Sequence, residues 1–337
     1  MSDFDFFAQA QKYYQKSPVI ILGSGASAAY GLSGMGALAQ HLMDTIEIDS
    51  FDKAEVEAWD NFKLKLEAGV DLESALHEVQ LSKKLTDLVV QSTWALLNPQ
   101  DIEVFQLSLD RAEHFPLAKL LNGLFRSVAE RIDIVTTNYD RIAEYAVEQA
   151  GIHHYTGFSH GYRRLQIPPK SIKADRVVNI WKVHGSLDWF LSPLGDVVGL
   201  NQVQDIPKGY MPQIVTPGIA KYMTTYHEPF RTIIQMADAA IRSKESYLCI
   251  GFGFNDEHIQ EKLIEKCMRE GGCITLITHT LSESARKFFL TGNVKNFLAI
   301  ERGSHDQQSI IYSSDTSDVT TVEQDFWSLS GYLDLVL

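Results

Sequence analysis

Apolar residues fall into two alternating patterns along the chain. Short continuous β-branched runs predict strands buried on both faces, and stretches with apolar side chains every three or four positions predict amphipathic helices. Val19 to Leu22 is a run of the first kind that stops at a glycine turn, and Ala26 onward reads as helix. From about Phe51 to Arg131 the pattern is helical throughout. Leu72, Ala75, Leu76 and Val79 share one face behind Asp71, which reads as an N-cap, and Leu117, Leu120, Leu121, Leu124 and Val128 repeat the spacing. Strand-like runs and helices then alternate. Ile132 to Thr136 precedes a helix from Arg141 closed by Gly151, Val177 to Val183 follows, and Gln213 to Thr216 precedes Phe230 to Arg242. Tyr247 to Gly251 precedes a helix from Asp256 to Glu270, and Ile274 to Thr278 precedes one through Ala285.

This alternation predicts an α/β fold: a Rossmann-like, doubly wound parallel sheet with an inserted helical module. Residues 1–50 and 132–305 form the sheet domain, 51–131 the helical insertion and 306–337 a C-terminal extension. The extension is rich in Ser, Thr and Asp from Gln307 to Val322, then apolar enough from Phe326 to Leu337 to dock. His153 to Lys173 and Asp188 to Lys208 read as long polar connections and candidate lids. In such sheets ligands bind beyond the carboxyl ends of the strands.

Composition narrows the classes of function. A chain of 337 residues with 45% hydrophobic and 22% charged content can bury one large core or two modest ones. No apolar run approaches the ~18 residues of a membrane span, and the acidic, aromatic N-terminal stretch lacks the basic and apolar regions of a secretory leader. A cytoplasmic location is expected. Cys249, Cys267 and Cys273 have no C-x-x-C spacing, and His153, His154, His160, His227 and His279 are scattered, so neither a disulfide framework nor a zinc or other metal site is expected. The net charge of −13 opposes non-specific binding of polyanions.

Candidate chemistry gathers at the strand ends. Gly23-x-Gly25-x-x-Ala28 matches a phosphate-binding fingerprint with alanine in the third small position, although a glycine turn between strand and helix is also a purely structural device. No acidic residue follows a second strand about 20 positions on, which disfavours an ordinary nicotinamide dehydrogenase. Asn138 and Asp140 stand where a strand becomes a helix, and Asp140 also reads as a cap for that helix. His184 lies between an apolar strand and Gly185-Ser186. Gly251-Phe252-Gly253-Phe254-Asn255-Asp256 is a further strand-to-helix turn that reads equally as a ligand-facing loop or as a turn with a helix cap.

The ordered set GSGAS, TTNYD, VHGS, GFGFND and the strand ending Leu276-Ile277-Thr278 resembles the sirtuin-like NAD-binding family, in particular the bacterial NAD-consuming effectors of antiphage defence. The resemblance runs from about residue 18 to 280. It implies that Gly23, Ser24, Gly25, Ala26 and Ser27 hold the NAD phosphates, that Asn138 and His184 are catalytic at the nicotinamide ribose, and that Asp140 orients the carboxamide. Gly251, Phe252, Gly253 and Thr278 would line the adenosine end, with Gly185 also in the cofactor-binding set. The zinc module and the Pro-Asp-Phe-Arg string of the family's deacetylases are missing, with Gly31-Leu32-Ser33-Gly34-Met35 in the latter's place. An NAD glycohydrolase is therefore expected rather than a deacetylase. The resemblance further implies a homo-oligomer, with a HerA-type ATPase or an Argonaute-like protein as partner. The competing expectation is a non-catalytic sensor subunit that captures NAD or ADP-ribose within a larger defence complex.

Overall fold

The structure, a computed structural model, describes residues 5–111, 113–126, 130–216, 227–291 and 294–337. Its strands are β1 (Val19–Leu22), β2 (Arg131–Thr136), β3 (His153–Tyr155), β4 (Arg163–Leu165), β5 (Val177–Lys182), β6 (Gly185–Leu191), β7 (Val197–Leu200), β8 (Met211–Ile214), β9 (Ser246–Ile250), β10 (Cys273–Thr278), β11 (Phe297–Arg302), β12 (Ser309–Ser313) and β13 (Thr320–Val322). Its helices are α1 (Phe6–Tyr14), α2 (Ser24–Ala28), α3 (Met35–Thr45), α4 (Lys53–Glu67), α5 (Leu72–Glu78), α6 (Lys83–Leu109), α7 (Pro116–Leu124), α8 (Ile142–Gln149), α9 (Phe230–Ser243), α10 (Glu257–Ile264), α11 (Glu283–Arg286) and α12 (Leu329–Val336). Val128, which the apolar spacing assigns to the helix of Leu117, lies outside the described residues.

Nine strands make one sheet in the order β13-β12-β11-β10-β9-β1-β2-β5-β3, parallel from β11 to β3 and antiparallel where β12 and β13 extend its edge. This is the expected mixed α/β architecture. β1 runs parallel between β2 and β9, so all four of its side chains are buried. Ile20 and Leu22 face one layer, packing with Tyr13 of α1, Leu121 of α7, Ala146 of α8 and Leu333 of α12. Val19 and Ile21 face the other, with Ile233 and Ala237 of α9 and Leu263 of α10. Burying each such side chain contributes roughly 1.5–3 kcal/mol, which is why the run tolerates no polar residue.

Between β1 and β2 every regular element among the described residues is helical. Asp71 caps α5 as its position suggests, its carboxylate accepting from Ser74 N at 3.0 Å, and Asp52 opens α4 with a capping box closed by Glu55. Trp59, Phe62, Leu76 and Leu85 form the core of this segment with Leu38 and Leu42 of α3. Further along α6, Trp94 and Leu97 pack on Leu187, Phe190 and Ile214. Those three belong to a second, four-stranded antiparallel sheet of order β4-β7-β6-β8. The polar connections expected at residues 153–173 and 188–208 thus contribute strands. Arg164 is polar in sequence, yet it is buried here because its guanidinium meets Asp188 of β6. Among the described residues no helix is long and apolar enough to cross a membrane.

Candidate active site

The first glycine turn follows the carboxyl end of β1 and packs against the turn that follows β9. Gly23 N donates to Ile250 O at 3.1 Å and Gly25 N to Gly251 O at 3.0 Å. A methyl group on Gly23 would overlap the Gly251 carbonyl, one on Gly25 would lie 2.8 Å from Gly251 Cα, and one on Gly251, whose φ is 57°, would overlap the Gly25–Ala26 backbone. Contact between the two turns is thus what excludes side chains at these glycines. Ala26 N is also engaged, donating to Gly23 O at 3.0 Å. Ser24 is exposed beside them and Ser27 is buried.

Asn138 and Asp140, on the turn after β2, tie that turn to the first one. Asn138 Nδ2 donates to Gly23 O at 2.8 Å and to Ser27 Oγ at 2.9 Å, and Ser27 Oγ donates to Asp140 Oδ2 at 2.6 Å. Asp140 Oδ1 accepts from Ile142 N, the first N–H of α8, at 3.2 Å, although the N-cap residue is Arg141 and not Asp140. Burial raises the Asp140 carboxyl above its ordinary value, against the smaller opposing effects of Lys182 and Ser27.

His184 follows β5, its carbonyl accepting from Val215 N at 2.8 Å. Gly185 turns the chain into β6 with φ of 86°, and a side chain there would overlap Gln213 O. The His184 Nε2 lies 3.0 Å from Asp256 Oδ2, while Asp256 Oδ1 caps α10 by accepting from Ile259 N at 3.0 Å.

These segments enclose two adjoining cavities. One, of about 190 Å³, is lined by Gly23, Ser24, Ser27, Asn138, Asp140, His184, Phe252, Gly253 and Asp256. The other, also about 190 Å³, is lined by Gly25, Ala26, Ser27, Asn138, Asp140, Gly251 and Thr278, with Trp327 and Leu329 from the C-terminal segment. Ser27, Asn138 and Asp140 border both. Of the expected site residues, Gly185 lines neither cavity; its role in the geometry is the tight turn. A larger cavity of about 940 Å³ lies against His184 and Asp256, bounded by α5, α9 and α10. Among the described residues no three His, Cys, Asp or Glu side chains are grouped to hold a metal ion, and the three cysteines are buried and unpaired.

A buried ionic floor lies beneath the site, and no motif points to it. Lys182 Nζ reaches Glu144 Oε1 at 3.0 Å and the carbonyls of Tyr139 and Asp140. Asp101 of α6 accepts from Arg141 N at 2.6 Å, from Arg141 Nε at 2.8 Å and from Tyr145 OH at 2.6 Å, with Asn98 Oδ1 taking Arg141 Nη2 at 3.0 Å. The sequence carries one signal of it, a lysine ending the apolar run of β5.

The family model described as a SIR2-like domain matches residues 133–294, just under half of the chain. Solved structures with a similar course of chain include a Sir2 homologue complexed with NAD, at 14% identity and TM-score 0.42, covering 87% of each chain. A Sir2 homologue mutant complexed with ADP-ribose, at 14% identity and TM-score 0.45, covers 82% of this chain and 87% of its own. No curated protein matches.

Proposed function

We propose that the chain binds NAD⁺ and hydrolyses its nicotinamide–ribose bond, releasing nicotinamide, ADP-ribose and a proton. The observation that carries this reading is that Asn138 and His184, 46 positions apart, line one cavity with the first glycine turn. The paired cavities suit a ligand of two halves, with Ser27, Asn138 and Asp140 between them. Because three backbone N–H groups of the turn are already engaged, the pyrophosphate falls to the remaining N–H groups and to the exposed Ser24 hydroxyl.

Nicotinamide is a cationic leaving group in NAD⁺, so bond breaking needs no strong acid. The ribose passes through an oxocarbenium-like state, water adds at the anomeric carbon, and His184 takes the proton that the water gives up. The Asn138 amide hydrogens are engaged by the turn, which leaves its carbonyl oxygen to accept from the ribose or the water. The Asp256 carboxylate, 3.0 Å from His184 Nε2, favours the positive charge that the imidazole acquires on taking that proton. The Asp140 side chain faces the nicotinamide end, and Gly251, Phe252, Gly253 and Thr278 serve the rest of the dinucleotide.

The resemblance of the motif set to bacterial NAD-consuming effectors is what supports reading this activity as cytoplasmic NAD depletion in antiphage defence by a homo-oligomer, with a HerA-type ATPase or an Argonaute-like protein as partner; the SIR2-like match bears on the NAD-binding part alone. Free nicotinamide, followed with and without those partners, tests the reading. His184→Ala and Asn138→Ala should each lower its release at least about 10²-fold; His184→Ala keeps the parent's melting temperature, and Asn138→Ala, which loses its bonds to Gly23 and Ser27, is assayed below its own melting transition. Parent-like turnover in either variant removes the assigned roles, and NAD binding without release favours the sensor instead.

A further inference from the structure

The cap of α10 also serves the imidazole across the site. Asp256 is 7% exposed, and its two oxygens point to different partners: Oδ1 takes the Ile259 N–H at 3.0 Å, and Oδ2 lies 3.0 Å from His184 Nε2. The cap fixes the carboxylate on a helix that packs into the core through Ile259 and Leu263. A neutral imidazole carries one N–H and one lone pair. At 3.0 Å a lone pair on Nε2 would face the lone pairs of a carboxylate oxygen, whereas an N–H there is attracted to it. The contact therefore selects the tautomer with the proton on Nε2 and the lone pair on Nδ1.

Resting on the NAD-hydrolysis reading, we propose that Asp256 is a positioning residue for that reaction. It holds His184 as the Nε2–H tautomer and makes Nδ1 the atom that accepts the proton of the attacking water. It touches neither the water nor the ribose and acts through His184 alone. Contacts of this kind in ligand-free sites tighten when the reacting complex forms. The sequence hides this role because an Asp three residues after Gly253 and directly before a helix is fully explained as a cap.

Asp256→Asn separates the two roles. Asparagine caps a helix about as well as aspartate, so its oxygen keeps Ile259 N–H while its NH₂ group turns to His184. Nε2 must then accept a hydrogen bond and the proton moves to Nδ1. In histidine-¹⁵N spectra taken about two pH units above the reference imidazole pKa of ~6.5, the His184 signals, assigned by their loss in His184→Ala, should change from the Nε2–H to the Nδ1–H pattern. Nicotinamide release should fall about 10²- to 10⁴-fold in kcat, with KM for NAD within about threefold and the melting curve unchanged. An active parent whose variant keeps the Nε2–H pattern, or keeps its kcat, overturns this assignment alone. A parent that releases no nicotinamide overturns the hydrolysis reading as well.

Discussion

Ser27 is the small residue on which the site's hydrogen bonds converge, and Ser27→Ala tests whether the two turns are held by side chains or by backbone packing alone. Its hydroxyl donates to Asp140 at 2.6 Å and accepts from Asn138 at 2.9 Å, and the residue is 5% exposed, so water does not replace it. A hydrogen bond to a carboxylate contributes about 1.5–3 kcal/mol and a neutral one about 0.5–1.5. The substitution should therefore cost about 2–4 kcal/mol. At about 2 °C per kcal/mol for a chain of this size, the melting temperature should fall by about 4–8 °C. Urea denaturation gives the free energy directly. Ser24→Ala, at an exposed position, supplies the baseline and should stay within about 0.5 kcal/mol of the parent. If the two variants unfold together, Ser27 does not join the turns and the network has been misread.

Gly251→Ala should destabilise more than Gly31→Ala. Both have positive φ, but Gly31 has open space where a side chain would go and Gly251 has the Gly25–Ala26 backbone. The conformational cost common to both is about 1–2 kcal/mol, so calorimetric melting of the pair isolates the overlap, and equal melting temperatures would remove it. Because burial raises the Asp140 carboxyl, its contribution to stability is complete below the unfolded value of ~3.9 and is lost as pH rises toward the folded one. The stability of the parent relative to Asp140→Asn should accordingly fall as pH increases from about 4, and a flat difference in urea titrations would contradict it. Asp101→Ala strands the buried Arg141 guanidinium and should cost about 3–5 kcal/mol by urea denaturation; a loss below about 1 kcal/mol would show that the pair is dispensable.

The parallel sheet was legible because strands covered on both faces must be apolar throughout, as β1, β2 and β9 nearly are. The short strands of the second sheet were not. β4 is Arg-Arg-Leu and β7 contains Gly199, so neither carries a strong strand signal, and each is held by partners that only the fold supplies, such as Asp188 for Arg164. Asn138 and His184 stood out because each ends an apolar run at a turn. Asp256 was visible only as a cap, since its second partner lies 72 positions away. The ionic floor joins Asp101 to Arg141 and Lys182 to Glu144 across separations of 40 and 38 residues, which no local pattern encodes. The glycines were singled out as places where a ligand comes close; Gly23, Gly25 and Gly251 meet the neighbouring turn, a contact no local pattern encodes.

Ser27 and Asp140 are separated by 113 residues and Asn138 and Gly23 by 115, while the turn that closes against Gly25 comes only after β9. Contacts so distant along the chain form late in folding. During synthesis, then, the lining of the first cavity is incomplete until the ribosome has released the chain past Asp256. A fragment that stops short of Gly251 lacks the turn against which Gly23 and Gly25 pack, and keeps the Asn138 bond to Gly23.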